Sequence, residues 1–151
     1  MIYVFIIAVL FLLDLFVKNY IEKNKELGKE EVIIKDKLSI RYIRNKGAIY
    51  STFEDKSAVV RGLSAFLIVL MWIVCVPMFF KKGNQGMKLG LAFIMAGGMS
   101  NVYDRIKRKY VVDYIHWNKL KKIIFNISDV FIVTGGIITI ICSFVKESVK
   151  H

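Results

Sequence analysis

Runs of apolar residues alternate with charged segments along this chain of 151 residues. Four of the runs approach the roughly 20 residues that an α-helix needs to cross the hydrocarbon core of a bilayer. The pattern therefore predicts a membrane α-helical fold, a bundle of four transmembrane helices that forms a single domain with both termini on one side. The predicted spans cover residues 1–20, 62–80, 89–106 and 123–145.

A polar region between the first two spans has its own periodicity. In "KLSIRYI", Leu38, Ile40 and Tyr42 alternate with polar residues and share one face, as in a half-buried β-strand. The stretch "AIYSTF" follows, and Gly47 allows a turn between the two. Residues of about 30–56 are therefore predicted to form a small β-sheet subdomain that rests on the bilayer surface.

Two further connections complete the bundle. The short turn "KKGNQGMK" makes the second and third spans antiparallel neighbours. A longer loop, residues 105–122, continues the third span and leads into the fourth. The ends of spans 1 and 3 and the starts of spans 2 and 4 therefore share one face of the membrane.

Composition narrows the class of protein. Hydrophobic residues make up 56% of the chain, which is too many for an ordinary soluble domain. The formal net charge is +11, but the cations flank apolar runs, so anionic lipid headgroups are the expected partner and nucleic acid is not. The first run lacks a basic leader and carries Asp14 and Lys18, which indicates a retained span rather than a cleaved signal peptide.

Cys75 and Cys142 both lie inside apolar runs. They are interpreted as small packed residues rather than as a disulfide or a metal site. No metal and no cofactor are expected from the sequence.

The distribution of Lys and Arg does not decide how the bundle is oriented. Connections on the side of residues 21–61 hold more Lys and Arg than the opposite side, which by the positive-inside rule places them in the cytoplasm. Glu and Asp balance many of these cations within a folded region, so the charge count is not decisive.

Four aspartates fall in one layer near that face of the membrane. Asp129 lies roughly 9 Å inside the start of the fourth predicted span, and Asp14 lies at a similar depth in the first. Asp104 closes the third span, and Asp113 follows it in the adjoining loop. An ionisable residue at membrane depth is costly, so each of them calls for a partner or a function.

Two of the four have a structural explanation. Asp14 and Lys18 are four residues apart and share a helical face, and Asp104 stands next to Arg105. Asp113 and Asp129 have no cation at helical spacing.

Two carboxylates brought together in a low-dielectric setting share one proton, which is the arrangement of an aspartic protease. The ionised carboxylate accepts a proton from water, and the protonated one hydrogen-bonds the peptide carbonyl. Polar residues predicted at the same layer, which could orient the pair or bind the substrate backbone, are Asn45, Asn101, Arg105 and Asn126.

The chain resembles the lipoprotein signal peptidase (signal peptidase II) family of bacteria over nearly its whole length. The motifs that carry the resemblance are "DLFVK" at 14–18, "NKGAIYSTF" at 45–53, "GGMSNVYDR" at 97–105, "VVDY" at 111–114 and "FNISD" at 125–129. Among the departures, Ser100 stands where the family often has Gly and Ser128 where it has Ala, and these are expected to affect substrate fit. No carboxylate is lost.

The resemblance implies a catalytic dyad of Asp113 and Asp129. Residues that it implies to support or line the site are Asp14, Lys18, Asn45, Gly47, Asn101, Asp104, Arg105 and Asn126. It further implies a bacterial inner-membrane protein with cytoplasmic termini, an external sheet and an active site near the outer face. The implied substrate is a prolipoprotein whose cysteine carries diacylglycerol, cut just before that cysteine.

Two other classes of protein fit parts of the pattern. A proton-coupled transporter would also contain membrane carboxylates, but near the midplane and without a sizeable external region. A purely structural role for a four-span protein would not explain why Asp129 lies in a span without a cation at helical spacing. The segment "NKGAIYSTF" is expected to act as a mobile cover for the lipid-bearing cysteine, or else as a hairpin that merely packs on the surface.

Overall fold

A computed structural model describes residues 1–35, 37–46, 57–117, 119 and 123–148. The turn predicted at Gly47 and the strand and cover predicted in "AIYSTF" lie outside these residues. Over the described residues the elements are α1 Ile2–Asn24, β1 Glu30–Ile34, β2 Leu38–Asn45, α2 Ser57–Phe79, α3 Gln85–Lys107, β3 Val111–Trp117, β4 Ile124–Phe125 and α4 Ile127–Ser148.

Three of these helices are long and apolar enough to cross a membrane, namely α1, residues 58–79 of α2 and residues 127–146 of α4. Their outer faces expose large apolar side chains, as expected for surfaces in contact with lipid tails. Examples are Phe5, Leu12 and Phe16 on α1, Phe66 and Ile73 on α2, and Val133, Ile137 and Phe144 on α4.

The predicted third span is present as α3, but α3 is less apolar than the other three helices. It packs against α1, α2 and α4, and it buries Lys88, Asn101 and Asp104 among them. Its polar side chains therefore face protein rather than lipid. A membrane crossing by α3 stays a prediction.

α3 and α4 approach each other closely because glycine stands at their crossing. A Cβ at Gly97 would collide with the backbone carbonyl of Ser128, and one at Gly135 would collide with the carbonyl of Gly90. Small residues at such positions allow helix backbones in a membrane to touch. The Gly97 contact holds the first turn of α4 directly against α3.

An apolar core fills the opposite end of the bundle. Cys75 is buried there with Tyr3, Ile7 and Phe79. Both cysteines are free thiols, which agrees with their interpretation as packed residues.

The sheet draws its strands from two connections. It is antiparallel, in the order β1-β2-β3-β4, so the α1–α2 connection supplies β1 and β2 and the α3–α4 connection supplies β3 and β4. The prediction that the sheet lies only between the first two helices is therefore wrong. A hairpin of two strands is marginal by itself, and the apolar run "VVDYI" provides the buried strand that completes it.

The sheet packs on the end of α1. Ile21 of α1 is buried against Tyr42 of β2 and Val112 and Tyr114 of β3. The β2–β3 register shifts between Ile40 and Ile43, so β2 has an extra residue opposite the stretch of β3 that begins at Asp113. Such bulges re-aim side chains where a strand borders a site.

Candidate active site

Asp129 belongs to a reciprocal cap at the start of α4. The side-chain oxygen of Asn126 accepts the backbone N–H of Asp129 at 3.0 Å, and Asp129 Oδ2 accepts the backbone N–H of Asn126 at 3.0 Å. This is a capping box, here in the form Asn-x-x-Asp. The carboxylate is thereby fixed at the N-terminus of α4, beside the positive end of the helix dipole.

Asp113 lies on the buried strand β3, and its side chain is almost fully enclosed. Asn45 Nδ2 donates to one carboxyl oxygen at 3.0 Å, and Asn126 Nδ2 donates to the other at 2.7 Å. Asn126 therefore touches both aspartates, Asp129 through the helix cap and Asp113 through its amide. The dyad predicted from the sequence is brought together around this one side chain.

Burial raises the pKa of Asp113 to about 7, and the negative charge of Asp129 adds to the increase. The hydrogen bonds from Asn45 and Asn126 act in the opposite direction. Near neutral pH, Asp113 is therefore poised between its protonated and ionised forms.

A buried lysine stands behind the dyad. Lys18 Nζ is fully enclosed and lies 2.9 Å from Asp14 Oδ2 and 3.2 Å from Asp104 Oδ2. It also donates to Asn101 Oδ1 at 2.9 Å, so the amide nitrogen of Asn101 turns the other way and donates to Asp129 Oδ1 at 2.9 Å. The lysine therefore sets the direction of a hydrogen bond to the dyad.

Both acidic partners of Lys18 hold elements of the site. Asp14 Oδ1 accepts the backbone N–H of Ser128 at 3.1 Å, next to Asp129. Asp104 Oδ2 accepts the backbone N–H of Val112 at 3.2 Å, next to Asp113. One ion-pair cluster thus anchors the strand that carries Asp113 and the helix that carries Asp129.

The expected pairing of Asp104 with Arg105 is wrong. Asp104 pairs with Lys18 and with Arg108, because residues four apart share a helical face and adjacent residues do not. Arg105 instead lines the cavity in front of the dyad. Its buried Nε has no hydrogen-bond partner among the residues that the structure describes.

Sequence reasoning missed the role of two serines. The hydroxyls of Ser100 and Ser128 both donate to Asp14 Oδ2. Neither serine lines the cavity, so both contact the buried cluster in the structure, and an effect on substrate fit stays a prediction. No spacing rule joins these positions to Asp14. Arg108 could have been found from its spacing to Asp104.

A cavity of about 530 Å³ opens in front of the dyad. Its polar lining consists of Asn45, Asn101, Arg105, Asp113, Asp129 and Thr134. Its apolar lining comes from β3, β4 and the residues that flank β4, and from one face of α4, with Val111, Trp117, Ile123, Ile124, Phe125, Val130, Ile132 and Val133. Of the predicted site residues that the structure describes, Asn45, Asn101, Arg105, Asp113 and Asp129 line this cavity, Asp14, Lys18 and Asp104 form the ion-pair cluster, and Asn126 is buried between Asp113 and Asp129. Gly47 lies outside the described residues.

The cavity has the character of a site for an apolar ligand with a few polar anchors. Within the described part of the chain, no three His, Cys, Asp or Glu side chains are placed to hold a metal ion.

Comparison with known proteins links this arrangement to one family. The family model described as signal peptidase (SPase) II matches residues 6–145. The lipoprotein signal peptidase of Clostridium tetani is 35% identical over 142 residues, which cover 91% of this chain and 89% of that protein. The lipoprotein signal peptidase of Streptococcus pneumoniae is 30% identical over 146 residues, with 96% and 93% covered.

Two solved structures share the fold. A bacterial membrane enzyme solved by the in meso method at 2.3 Å resolution superposes with a TM-score of 0.86 and 26% identity, covering 99% of this chain and 91% of that one. A second, solved by the same method at 1.9 Å, has a TM-score of 0.78 and 26% identity, with 92% and 90% covered. The similarity thus extends over helices and sheet together.

Replacing Lys18 by Met tests whether the ion-pair cluster holds the fold. The variant leaves Asp14 and Asp104 buried without their shared cation, so we expect the free energy of unfolding to fall by about 3–5 kcal/mol. Lys23→Met, at an exposed position of the same helix, is the control and should change it by less than about 0.5 kcal/mol. Both are measured by unfolding in detergent micelles, and equal stability of the two variants would contradict the assignment.

Proposed function

Because the chain belongs to the signal peptidase II family, we propose that it is an aspartic endopeptidase in which Asp113 and Asp129 activate water. The family removes signal peptides from prolipoproteins, and the chain is accordingly a membrane protease. One observation carries the proposal. The buried carboxylate of Asp113 and the half-buried carboxylate of Asp129 share Asn126 as a common partner and face one cavity.

The two carboxylates take different roles. Asp129 is the base, because the helix dipole and N–H donors from Asn101 and Asn126 stabilise its negative charge. Asp113 is the acid, because its pKa of about 7 lets it keep a proton near neutral pH. Pairs of carboxylates whose environments separate their proton affinities divide acid and base work in this way.

The reaction proceeds in two steps. A water molecule held between the carboxylates loses a proton to Asp129 as its oxygen attacks the peptide carbonyl carbon, and Asp113 donates its hydrogen bond to the developing oxyanion. In the second step, the proton on Asp129 passes to the departing amide nitrogen as the C–N bond breaks. The Arg105 side chain lines the cavity beside the dyad, where its guanidinium group can bind a substrate carbonyl.

The cavity supports a lipid-bearing substrate. Its apolar wall follows α4, a helix whose outer face is exposed as lipid-facing surface, so an acyl chain can remain in contact with the bilayer while the peptide meets the dyad. The family resemblance implies a cut just before a diacylglyceryl-modified cysteine, and we adopt that position. The transporter alternative does not account for membership of a peptidase family.

The proposed orientation follows from the substrate. A signal peptide crosses a bacterial cell membrane with its cleavage point near the outer face, so the dyad and the sheet belong there and both termini in the cytoplasm. The excess of Lys and Arg near the sheet argues against this orientation, because the positive-inside rule would place that side in the cytoplasm. Ion pairs within the sheet region, such as Lys25 with Glu31, neutralise part of that excess.

Replacing either aspartate by Asn tests the dyad. Asp113→Asn and Asp129→Asn should each lower the cleavage rate of an acylated prolipoprotein by at least about 100-fold, the scale of lost acid or base catalysis. Glu26→Gln, at an exposed surface position, should cleave like the parent. Folded yield in membranes is measured in parallel, and normal turnover by either Asn variant would refute the assignment.

The pH dependence of cleavage tests the role of Asp113. Since the acid must carry its proton, kcat/KM should fall as the pH rises through about 7, by about tenfold per unit once Asp113 ionises. Asn45→Ala removes a hydrogen bond that lowers this pKa, so the falling limb should move to higher pH. If the falling limb stays at the same pH in this variant, the group that titrates in the profile is not Asp113.

Labelling with an impermeant thiol reagent tests the orientation. With Cys75 and Cys142 changed to Ala, a cysteine is placed at the exposed Lys35 in the β1–β2 turn. We expect labelling of intact cells, or of spheroplasts where an outer membrane blocks the reagent. Labelling only after lysis would mean that the positive-inside count is right and the sheet is cytoplasmic.

A further inference from the structure

One end of the sheet combines apolar side chains with lysines. Ile34 of β1 pairs with Leu38 of β2, and Leu38 pairs with Trp117 of β3, so these residues form a row across three strands. Directly opposed residues in antiparallel strands point to the same face. We call this end, with the adjoining exposed Ile33, Lys35, Lys37 and Lys119, the sheet tip.

The apolar side chains of the sheet tip are exposed although they belong to a polar connection. Ile33 is 57% exposed, Ile34 49% and Trp117 44%. An exposed apolar edge strand is a liability in water, where it invites pairing with other chains. A surface that covers these side chains would remove that cost.

The lysines of the sheet tip differ from those at the other end of the hairpin. Lys25 and Lys29 pair with Glu31 and Glu26. Lys35, Lys37 and Lys119 have no acidic side chain within ion-pair distance among the described residues. In sequence, the two connections at this end, residues 35–37 and 118–122, together hold five lysines and one aspartate.

Trp117 of the sheet tip lies beside the first two turns of the apolar helix α4. Trp117 lines the same cavity as Val130 and Val133. Val133 follows the start of α4 by six residues, about 9 Å along the helix axis, and its side chain is exposed on the apolar face. Tryptophan is enriched at the level of the lipid headgroups, where membrane-spanning helices leave the hydrocarbon layer.

We propose that the sheet tip is seated in the headgroup layer of an anionic bilayer. Ile33, Ile34 and Trp117 reach the acyl boundary, while the three lysines bind lipid phosphates, the composition expected of an interfacial anchor. Because Trp117 ends the strand that carries Asp113, this anchor fixes the depth of that strand. The inference depends on membrane insertion of the chain and not on its proposed catalytic mechanism.

Fluorescence quenching by brominated lipid tests the depth. The chain has two tryptophans, so Trp72→Phe with Trp117→Phe gives a background into which Ile34→Trp is placed. Lys29→Trp, immediately before the opposite end of β1, is the matched control. In liposomes whose lipids carry bromine near the headgroup, we expect the Ile34→Trp probe to be quenched at least about twofold more than the control. Equal quenching of the two would overturn the proposal.

A second comparison tests the lipid charge. Quenching of the Ile34→Trp probe should be stronger in phosphatidylglycerol than in phosphatidylcholine, and Lys35→Gln, Lys37→Gln and Lys119→Gln together should abolish the difference. A probe that is quenched equally in both lipids would refute the role of the lysines. If Ile34→Trp lowers the melting temperature, Ile33→Trp provides an independent probe of the same depth.

Discussion

The buried contact between Lys18 and the carboxylates of Asp14 and Asp104 is the interaction on which the rest of the structure depends. Burying any one of these three charged groups alone would carry a high desolvation cost. The cluster is tolerated because each group lies within hydrogen-bond distance of an opposite charge. Arg108 adds a second cation, which pairs with Asp104 and with Glu22. The cluster joins α1, α3, β3 and α4 at a single point.

This constraint explains the character of α3. A helix that carries Asn101, Asp104 and Arg105 cannot face lipid, so it takes the centre of the bundle and leaves the apolar faces of α1, α2 and α4 outside. Glycines at the α3–α4 crossing then allow the backbones to touch, which carries Ser128 into reach of Asp14. The close helix packing and the hydrogen bond to Asp14 thus both position the start of α4.

The asymmetry of the dyad follows from where its members lie. Asp129 is on a helix N-terminus and its backbone partners are built into the first turn of α4. Asp113 is on a strand buried on both faces, so desolvation raises its pKa, against hydrogen bonds from two amide side chains and the charge of Lys18. One chain therefore holds two chemically identical groups in different environments, as acid–base catalysis of hydrolysis needs.

The sequence by itself determined the helices and the strand β2, and it singled out the carboxylates as candidates. The strand β1 was not predicted from a local pattern. Apolar runs of spanning length and alternating positions are local signals, since each depends on residues that are near neighbours in the chain. The pair Asp14 and Lys18 was readable for the same reason, at a spacing of four on one helix. Resemblance to a family supplied the roles that spacing could not.

Only the tertiary structure decided which distant groups meet. β3 joins β2 across more than sixty residues of chain, and no local periodicity in "VVDYIHW" names its partner strand. The serines at 100 and 128 reach Asp14 because α1, α3 and α4 converge there, and Arg105 turns to the cavity because Arg108 occupies the face next to Asp104. These choices depend on the packing of whole elements, and packing is a property of three dimensions that a linear pattern does not contain.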